Sequence, residues 1–264
     1  MRVATFNLLH GMCLADGLAD EAALTEAVAS LDADVLGIQE VDRNQPRSGS
    51  VDQAAAVARA LDAPHWRFVP ALLGTPDAER SWTVATEDDG TQVDGPTYGI
   101  GLASRWPVRS WQVRRFPAAP VGAPLRVPGN RRLIHVYDEP RVALAALVDA
   151  PGGPVTVVTA HLSFIPGWNL GQLRRVTRWA LGFPAPRLLL GDLNVPGRVP
   201  ARTTGWAQLA RVPTYPSYRP RVQFDHVLGH SMDGMRVGSV SSRTLGVSDH
   251  CALTVDLEVT GHPV

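Results

Sequence analysis

The chain has 264 residues with 25 acidic and 25 basic side chains, and it is 45% hydrophobic and 19% charged, a make-up that excludes an intrinsically disordered or fibrous protein. Its zero net charge hides an asymmetry: residues 1–97 carry 16 acidic and 6 basic residues, whereas residues 98–264 carry 9 acidic and 19 basic ones, a split that can mark an anion-binding face. No lysine occurs, so every basic residue is arginine, which excludes Schiff-base chemistry, a phosphate-loop lysine and a serine–lysine pair.

Read in chain order, residues 2–8 alternate as a strand whose last polar residue is Asn7. Residues 20–31 place Ala23, Leu24, Ala27, Val28 and Leu31 at a helical period. "ADVLGIQE" reads as a short buried strand closing on Glu40, 52–61 as a helix, and "HWRFVPAL" as extended chain. Residues 72–97 read as a long acidic surface loop. "YGIGLASR" and "VRSWQVRRF" read as a strand pair joined at Trp106 and Pro107, and 117–133 as an arginine- and proline-rich loop. "RVALAALVDA" and "VTVVTAHLS", across "PGGP", predict a hairpin. Residues 169–181 have a helical period, "RLLLGDLN" is a strand running into a turn, and a short helical stretch is expected near 203–209. "VQFDHVLG" and "CALTVDLEV" are the last strands.

Strands that are almost wholly apolar need cover on both faces. The expected fold is therefore an α/β (α+β) four-layer αββα sandwich: two mixed β-sheets packed face to face with helices outside. With no repeat and no clear linker, residues 1–264 read as one domain. No stretch is long and apolar enough for a membrane helix, and "MRVATFNLLHGM" has no apolar core of a signal peptide, so a cytoplasmic monomer is expected. Cys13 and Cys251 are too few for a disulfide framework and read as free thiols.

Several known motifs are missing. There is no His-Glu-x-x-His, "YGIGLAS" lacks the third glycine of a dinucleotide fingerprint, and "GHSMDG" has the wrong spacing for a nucleophile elbow. What recurs instead is a polar residue where an apolar run ends. Asn7, Glu40, His161, Asp192 with Asn194, Asp225 with His226, and Asp249 with His250 all stand at such points. One Asp-x-Asn after a strand is an ordinary turn, but six such endings together would line one rim of a sandwich. Carboxylate and amide oxygens suit a hard cation such as magnesium. Histidines can stabilise phosphoryl charge and a carboxylate can orient water. The chemistry these groups suit is phosphoester hydrolysis.

The segments "TFNLLHG", "VLGIQEVD", "YGIGLASRWPV", "VVTAHLS", "LLLGDLN", "FDHVLG" and "VSDHCAL", in that order over nearly the whole chain, resemble the endonuclease/exonuclease/phosphatase superfamily. It includes exonuclease III-like and deoxyribonuclease I-like nucleases, inositol polyphosphate 5-phosphatases and neutral sphingomyelinases. The resemblance implies the same four-layer sandwich and a divalent metal, magnesium or else manganese. It implies Glu40 as principal metal ligand, with Asn7 near both metal and phosphate and Asp249 close to the metal. It implies His161 as a support for transition-state charge, Asp192 as the residue that orients the attacking water, and Asn194 as a phosphate contact. Asp225 would pair with His250, and Tyr98 matches a phosphate-contacting aromatic of some members. Arg141 opens a strand and could reach phosphate, or form an ion pair with Glu139.

Leu9 stands where abasic-site nucleases of this superfamily carry an aspartate, and His10 with Gly11 resembles a bacterial branch. The substrate class stays open between a small or lipid-linked phosphate ester, which is favoured, and nucleic acid. A catalytically inactive binding protein on the same scaffold is the alternative of another class. Three features favour the smaller substrate: Leu9; the acidic loop with Asp77, Glu79, Glu87, Asp88, Asp89 and Asp94; and "SFIPGWN", expected to set Phe164, Ile165 and Trp168 beside His161. The arginine-rich loops at 105–132 and 187–221 speak for a phosphate-tracking groove.

Overall fold

β-branched and leucine-rich runs form two sheets in the computed structural model, which describes residues 1–76, 80–86, 94–125 and 134–260. In chain order the elements are β1 (Arg2–Asn7), α1 (Glu21–Ala29), β2 (Val35–Arg43), α2 (Gln53–Ala60), β3 (His65–Gly74), β4 (Trp82–Val84), β5 (Thr97–Ser104), β6 (Val108–Phe116), β7 (Gly122–Leu125), β8 (Ile134–Tyr137), β9 (Arg141–Ala150), β10 (Gly153–Ala160), α3 (Trp168–Ala180), β11 (Arg187–Asp192), α4 (Val199–Thr204), β12 (Ala207–Gln208), β13 (Asp225–His230), β14 (Met235–Arg243) and β15 (Ala252–Val259). One sheet has the order β14-β15-β1-β2-β5-β3-β4 and the other β12-β13-β11-β10-β9-β6, while β7 and β8 form a separate ribbon. Both large sheets are mixed. β1 runs parallel to β2 and β10 parallel to β11, and the other pairings are antiparallel.

Three apolar layers make this a four-layer sandwich. Val3, Val35, Ile100, Leu144, Val157 and Leu190 fill the space between the sheets. Leu24 and Val28 of α1 and Val57 of α2 pack with Phe6 and Leu36 on the outer face of the seven-stranded sheet. Leu173, Val176 and Ala180 of α3 pack with Val158 and Leu189 on the outer face of the other sheet. Each fully buried Leu or Val contributes about 2 kcal/mol relative to an exposed one. The helix starts are fixed locally: the Asp20 carboxylate accepts from the amides of Ala22 and Ala23, and that of Asp52 from Ala55, each such cap being worth about 1 kcal/mol.

Some sequence expectations need correction. β5 and β6 follow one another but do not pair: β5 pairs with β2 and β3, β6 with β9, and the chain crosses between sheets at residues 105–107. The helical stretch expected near 203–209 lies earlier, at α4, and 207–208 is the short edge strand β12. The region 72–97 is not all loop, since β3 runs to Gly74 and pairs with β4; its residues 77–79 and 87–93 lie outside the described residues. Likewise β7 occupies part of 117–133, of which 126–133 lie outside them. β14 was not expected at all. Among the described residues no helix is long and apolar enough to cross a membrane, and Cys13 and Cys251 are both free thiols.

Candidate active site

The sandwich brings its polar strand ends to one rim, around a cavity of about 810 Å³. Glu40, Tyr98, Arg141, His161, Asp192, Asn194, Asp249 and His250 line it. Asn7 and Asp225 stand just behind, each bonded to a lining residue.

The placement of Asp192 depends on Gly191. Gly191 has φ +142°, and a Cβ there would lie 1.9 Å from the Ala160 carbonyl oxygen. Only glycine lets the end of β11 approach the end of β10 this closely, and His161 follows directly on β10. Asp192 then receives two hydrogen bonds, from the Asn194 amide at 2.9 Å to Oδ1 and from Asn7 Nδ2 at 3.1 Å to Oδ2. The same Oδ2 is 3.7 Å from Nε2 of His161 and 3.7 Å from Nε2 of His250. Burial is the main reason the Asp192 carboxyl is pushed up to about 7; the His250 charge opposes it and the Asp225 charge adds to it.

The surroundings of the two histidines act in opposite directions. His161 is held well below the ordinary imidazole range, first by burial and then by the charges of Arg141 and His250. Arg141 Nη1 lies 3.2 Å from both of its ring nitrogens, and Asn194 Nδ2 is 3.3 Å from its Nε2. Burial would lower His250 too, but the Asp225 and Asp192 carboxylates raise it well above its usual value. Asp225, fully buried at the start of β13 and opposite Asp192 in register, meets His250 Nδ1 at 2.8 Å. These surroundings favour the neutral form of His161 and the charged form of His250.

Glu40 does not close β2 as expected from the sequence. It sits within the strand at a bulge, where the register with β5 jumps between Ile38 and Val41, and it has φ 54°. A bulge re-aims a side chain, and Glu40 turns to the cavity, where Asn7 Nδ2 donates to its Oε1 at 2.9 Å. The Asn7 amide oxygen accepts from the Leu9 amide at 3.0 Å, so as oriented here Asn7 presents donors to the site. Asn194 and Ser248 are also left-handed, at φ 50° and 70°, and such backbone costs about 1 kcal/mol or more per residue. Ser248 anchors its turn by donating to the Asn7 carbonyl at 2.6 Å and accepting from the His250 amide at 3.1 Å.

The donor set suits a hard divalent cation. Glu40 and Asp249 line the same cavity, and among the described residues neither forms an ion pair. Burial pushes the Asp249 carboxyl up to about 6; the His250 charge pulls it down and the Glu40 charge pushes it up. Ligand atoms of Asp192, Asp225 and His250 also lie within 4.8 Å of one another, though His250 Nδ1 is already engaged by Asp225. Both groups have the carboxylate-rich character that magnesium and manganese take.

Arg141 pairs with the fully buried Asp138 at 3.2 Å rather than with Glu139, since both members of that pair are shut off from water. Tyr98 is buried, with its hydroxyl pushed well up by burial and by the charges of Glu40 and Glu139, so it stays a donor. Of "FIPGW", only Phe164 among the three expected side chains lines the cavity. Ile165 is buried, and Trp168 points its Nε1 to the Pro117 carbonyl at 3.3 Å. His10 does line the cavity.

Sequence reading missed four polar lining residues. Arg47 is clamped by Asp42 through Nη2 at 2.7 Å; Glu139 lines the cavity with Glu40, its carboxyl raised by burial and, less, by the Glu40 charge; Tyr215 packs its ring 4.9 Å from that of His250; Asn169 donates to the Asn194 carbonyl at 2.8 Å. All four sit in turns or at a helix start with no periodic signal. The one available hint was the glycine–tryptophan–asparagine step that opens α3, where Asn169 Oδ1 accepts from Gly167 and Leu170.

Residues 4–250 match the Endonuclease/Exonuclease/phosphatase family. No curated protein sequence matches the chain. Among solved structures the chain is similar to an endonuclease/exonuclease/phosphatase from Beutenbergia cavernae, at 23% identity and a TM-score of 0.66, over 100% of this chain and 72% of that one. It is similar to the mannosyl-6-phosphatase of Bacteroides thetaiotaomicron at 14% identity and a TM-score of 0.59, over 98% and 99% of the two chains. It is also similar to sphingomyelinase C from Streptomyces griseocarneus at 16% identity and a TM-score of 0.58, over 97% and 98%. At these identities the likeness shows a common fold.

Proposed function

The chain belongs to the endonuclease/exonuclease/phosphatase family, whose enzymes hydrolyse phosphate esters and generally need a divalent metal, and from that premise we propose that it is a magnesium- or manganese-dependent phosphoesterase acting on a small or lipid-linked ester. The observation that carries this reading is the convergence on Asp192, whose Oδ2 stands 3.7 Å from Nε2 of His161 and 3.7 Å from Nε2 of His250.

A carboxylate poised at about 7 is matched to orienting a water and accepting its proton near neutral pH. The His250 cation, held by Asp225, offers charge to the phosphoryl oxygens. His161, Asn194, Arg141 and the Tyr98 hydroxyl add donors around the same oxygens. Glu40 and Asp249, oriented with the help of Asn7, are the residues to hold the metal. That metal supplies Lewis-acid stabilisation of developing charge when bound.

Phe164, Pro166, Leu170, Val199 and Phe224 form an apolar wall beside the catalytic groups, which supports a leaving group with apolar surface over a polyanion. The exposed, unpaired arginines of residues 174–221 support nucleic acid as the second reading. A panel assay with metal separates them: plasmid DNA, RNA, phosphoinositides, sphingomyelin and aryl phosphodiesters. Turnover of a small or lipid ester with a shallow salt dependence is expected. Efficient plasmid nicking that falls by orders of magnitude toward physiological salt, with no small or lipid ester turned over, would establish the nuclease instead. No turnover of any ester with metal present would leave a binding protein.

A further inference from the structure

Between His161 and Phe224 the sequence holds nine arginines and a single acidic residue, Asp192, and that acid is 2% exposed inside the cavity. Eight of these arginines are exposed. Among the described residues none of the eight forms an ion pair; of the exposed arginines elsewhere, Arg59, Arg109 and Arg236 do, and Arg80, Arg114 and Arg243 do not. Arg174, Arg175 and Arg178 lie on the solvent side of α3, opposite Leu173, Val176 and Ala180. Arg202 lies in α4 and Arg198 directly precedes it, and α4 packs against α3. Arg211, Arg219 and Arg221 lie on the loop after β12 that carries the cavity-lining Tyr215 and bonds to residues 242–251.

We infer that this α3/α4 face docks the protein on an anionic lipid surface, with the cavity mouth at its border. Three observations favour a bilayer over a nucleic acid. The five arginines on α3 and on or directly before α4 lie on the outer layer of a sandwich, a face rather than a groove, so a flat partner meets more of them than a rod can. The wall between them and the catalytic groups is apolar, through Phe164, Leu170 and Val199, and offers nothing to a chain that carries a phosphate at every step. Two exposed apolar side chains neighbour these arginines in sequence, Leu181 at 45% at the end of α3 and Tyr218 at 77% beside Arg219, the mixture typical of interfacial surfaces. On the other side of the cavity, the turn carrying His10 leads to exposed Asp16, Asp20 and Glu21. A duplex laid across the mouth would press on that acidic rim as well; a bilayer resting on α3 and α4 would not.

The docking stands apart from turnover. Only its use, presenting a lipid ester to the cavity, rests on the phosphoesterase reading. The test is cosedimentation of the full chain with phosphatidylcholine vesicles, with and without phosphatidylglycerol, and fluorescence anisotropy on a short duplex DNA. The chain should bind the phosphatidylglycerol vesicles and not pure phosphatidylcholine. Each basic residue near an anionic surface contributes roughly fivefold in binding. The triple variant Arg174→Gln, Arg175→Gln, Arg178→Gln should therefore bind on the order of a hundredfold more weakly, with unchanged turnover of a soluble aryl phosphodiester because none of the three lines the cavity. The pair Arg198→Gln, Arg202→Gln provides a second, independent reduction. Absence of binding to anionic vesicles, binding unaltered in both variants, or duplex binding as tight as vesicle binding and lost with the same arginines would overturn the inference.

Discussion

Glu40 holds a left-handed backbone inside a strand, φ 54° at the bulge opposite β5, and its carboxylate reaches the cavity because of it. Glu40→Gln keeps the shape and the Asn7 contact but removes the charge. Magnesium binding by calorimetry and metal-dependent turnover should both be largely lost, with the melting temperature within a few degrees of wild type. His161→Ala removes a neutral donor from the charged transition state and should cost about a hundredfold or more in kcat. Asp225→Asn should cost less, since it touches the reaction only through His250. A His161→Ala rate near wild type on the preferred substrate would contradict the role given to that residue. The sequence already shows these residues as polar ends of apolar runs. It does not show that Arg141 pairs with Asp138, or that Glu139, Arg47, Tyr215 and Asn169 face the cavity. Those contacts are made across turns, where no periodicity records which way a side chain points.

At the scale of elements, the close approach of β10 and β11 sets the site. Gly191→Ala would put a Cβ 1.9 Å from a backbone oxygen at a φ of +142°, and chemical denaturation should show a loss of more than about 3 kcal/mol. The next strand over carries a pH dependence. His226 of β13 is fully buried, its Nε2 meets the Val195 carbonyl at 2.8 Å, and its Nδ1 has no hydrogen-bond partner among the described residues. Burial lowers it to about 4, against the Val195 carbonyl and the Asp225 charge, which raise it. The unfolded chain takes up this proton near pH 6.5 and the folded chain only near 4, so acid favours unfolding between those values. From pH 7 to pH 5 wild type should lose about 2 kcal/mol of stability relative to His226→Phe, changing the gap between the two. A gap that stays constant would mean that His226 titrates normally. The core strands are legible as apolar runs because burial on both faces leaves that mark. β14 is not, since its outward edge residues are mostly exposed. The separation of β5 from β6 is not either, because adjacency in sequence says nothing about which sheet a strand joins.

For the whole molecule, the charge split of the sequence becomes a split between layers. The acidic first part builds α1, α2 and strands β1 to β4 of the sheet beneath them, and α3 and α4 with their arginines lie over the other sheet. The catalytic groups lie at the rim where both sheets end, drawing Asn7 and Glu40 from one and His161, Asp192 and Asp225 from the other. The fold thus holds the donors, the proposed metal ligands and the water-orienting carboxylate in one place only when both sheets are packed. The most direct test of this account is the rate of aryl phosphodiester hydrolysis by the chain after exhaustive chelation, and again after magnesium or manganese is returned. The account predicts that activity vanishes with the metal and is restored by either ion. Full turnover by the chelated protein would contradict it.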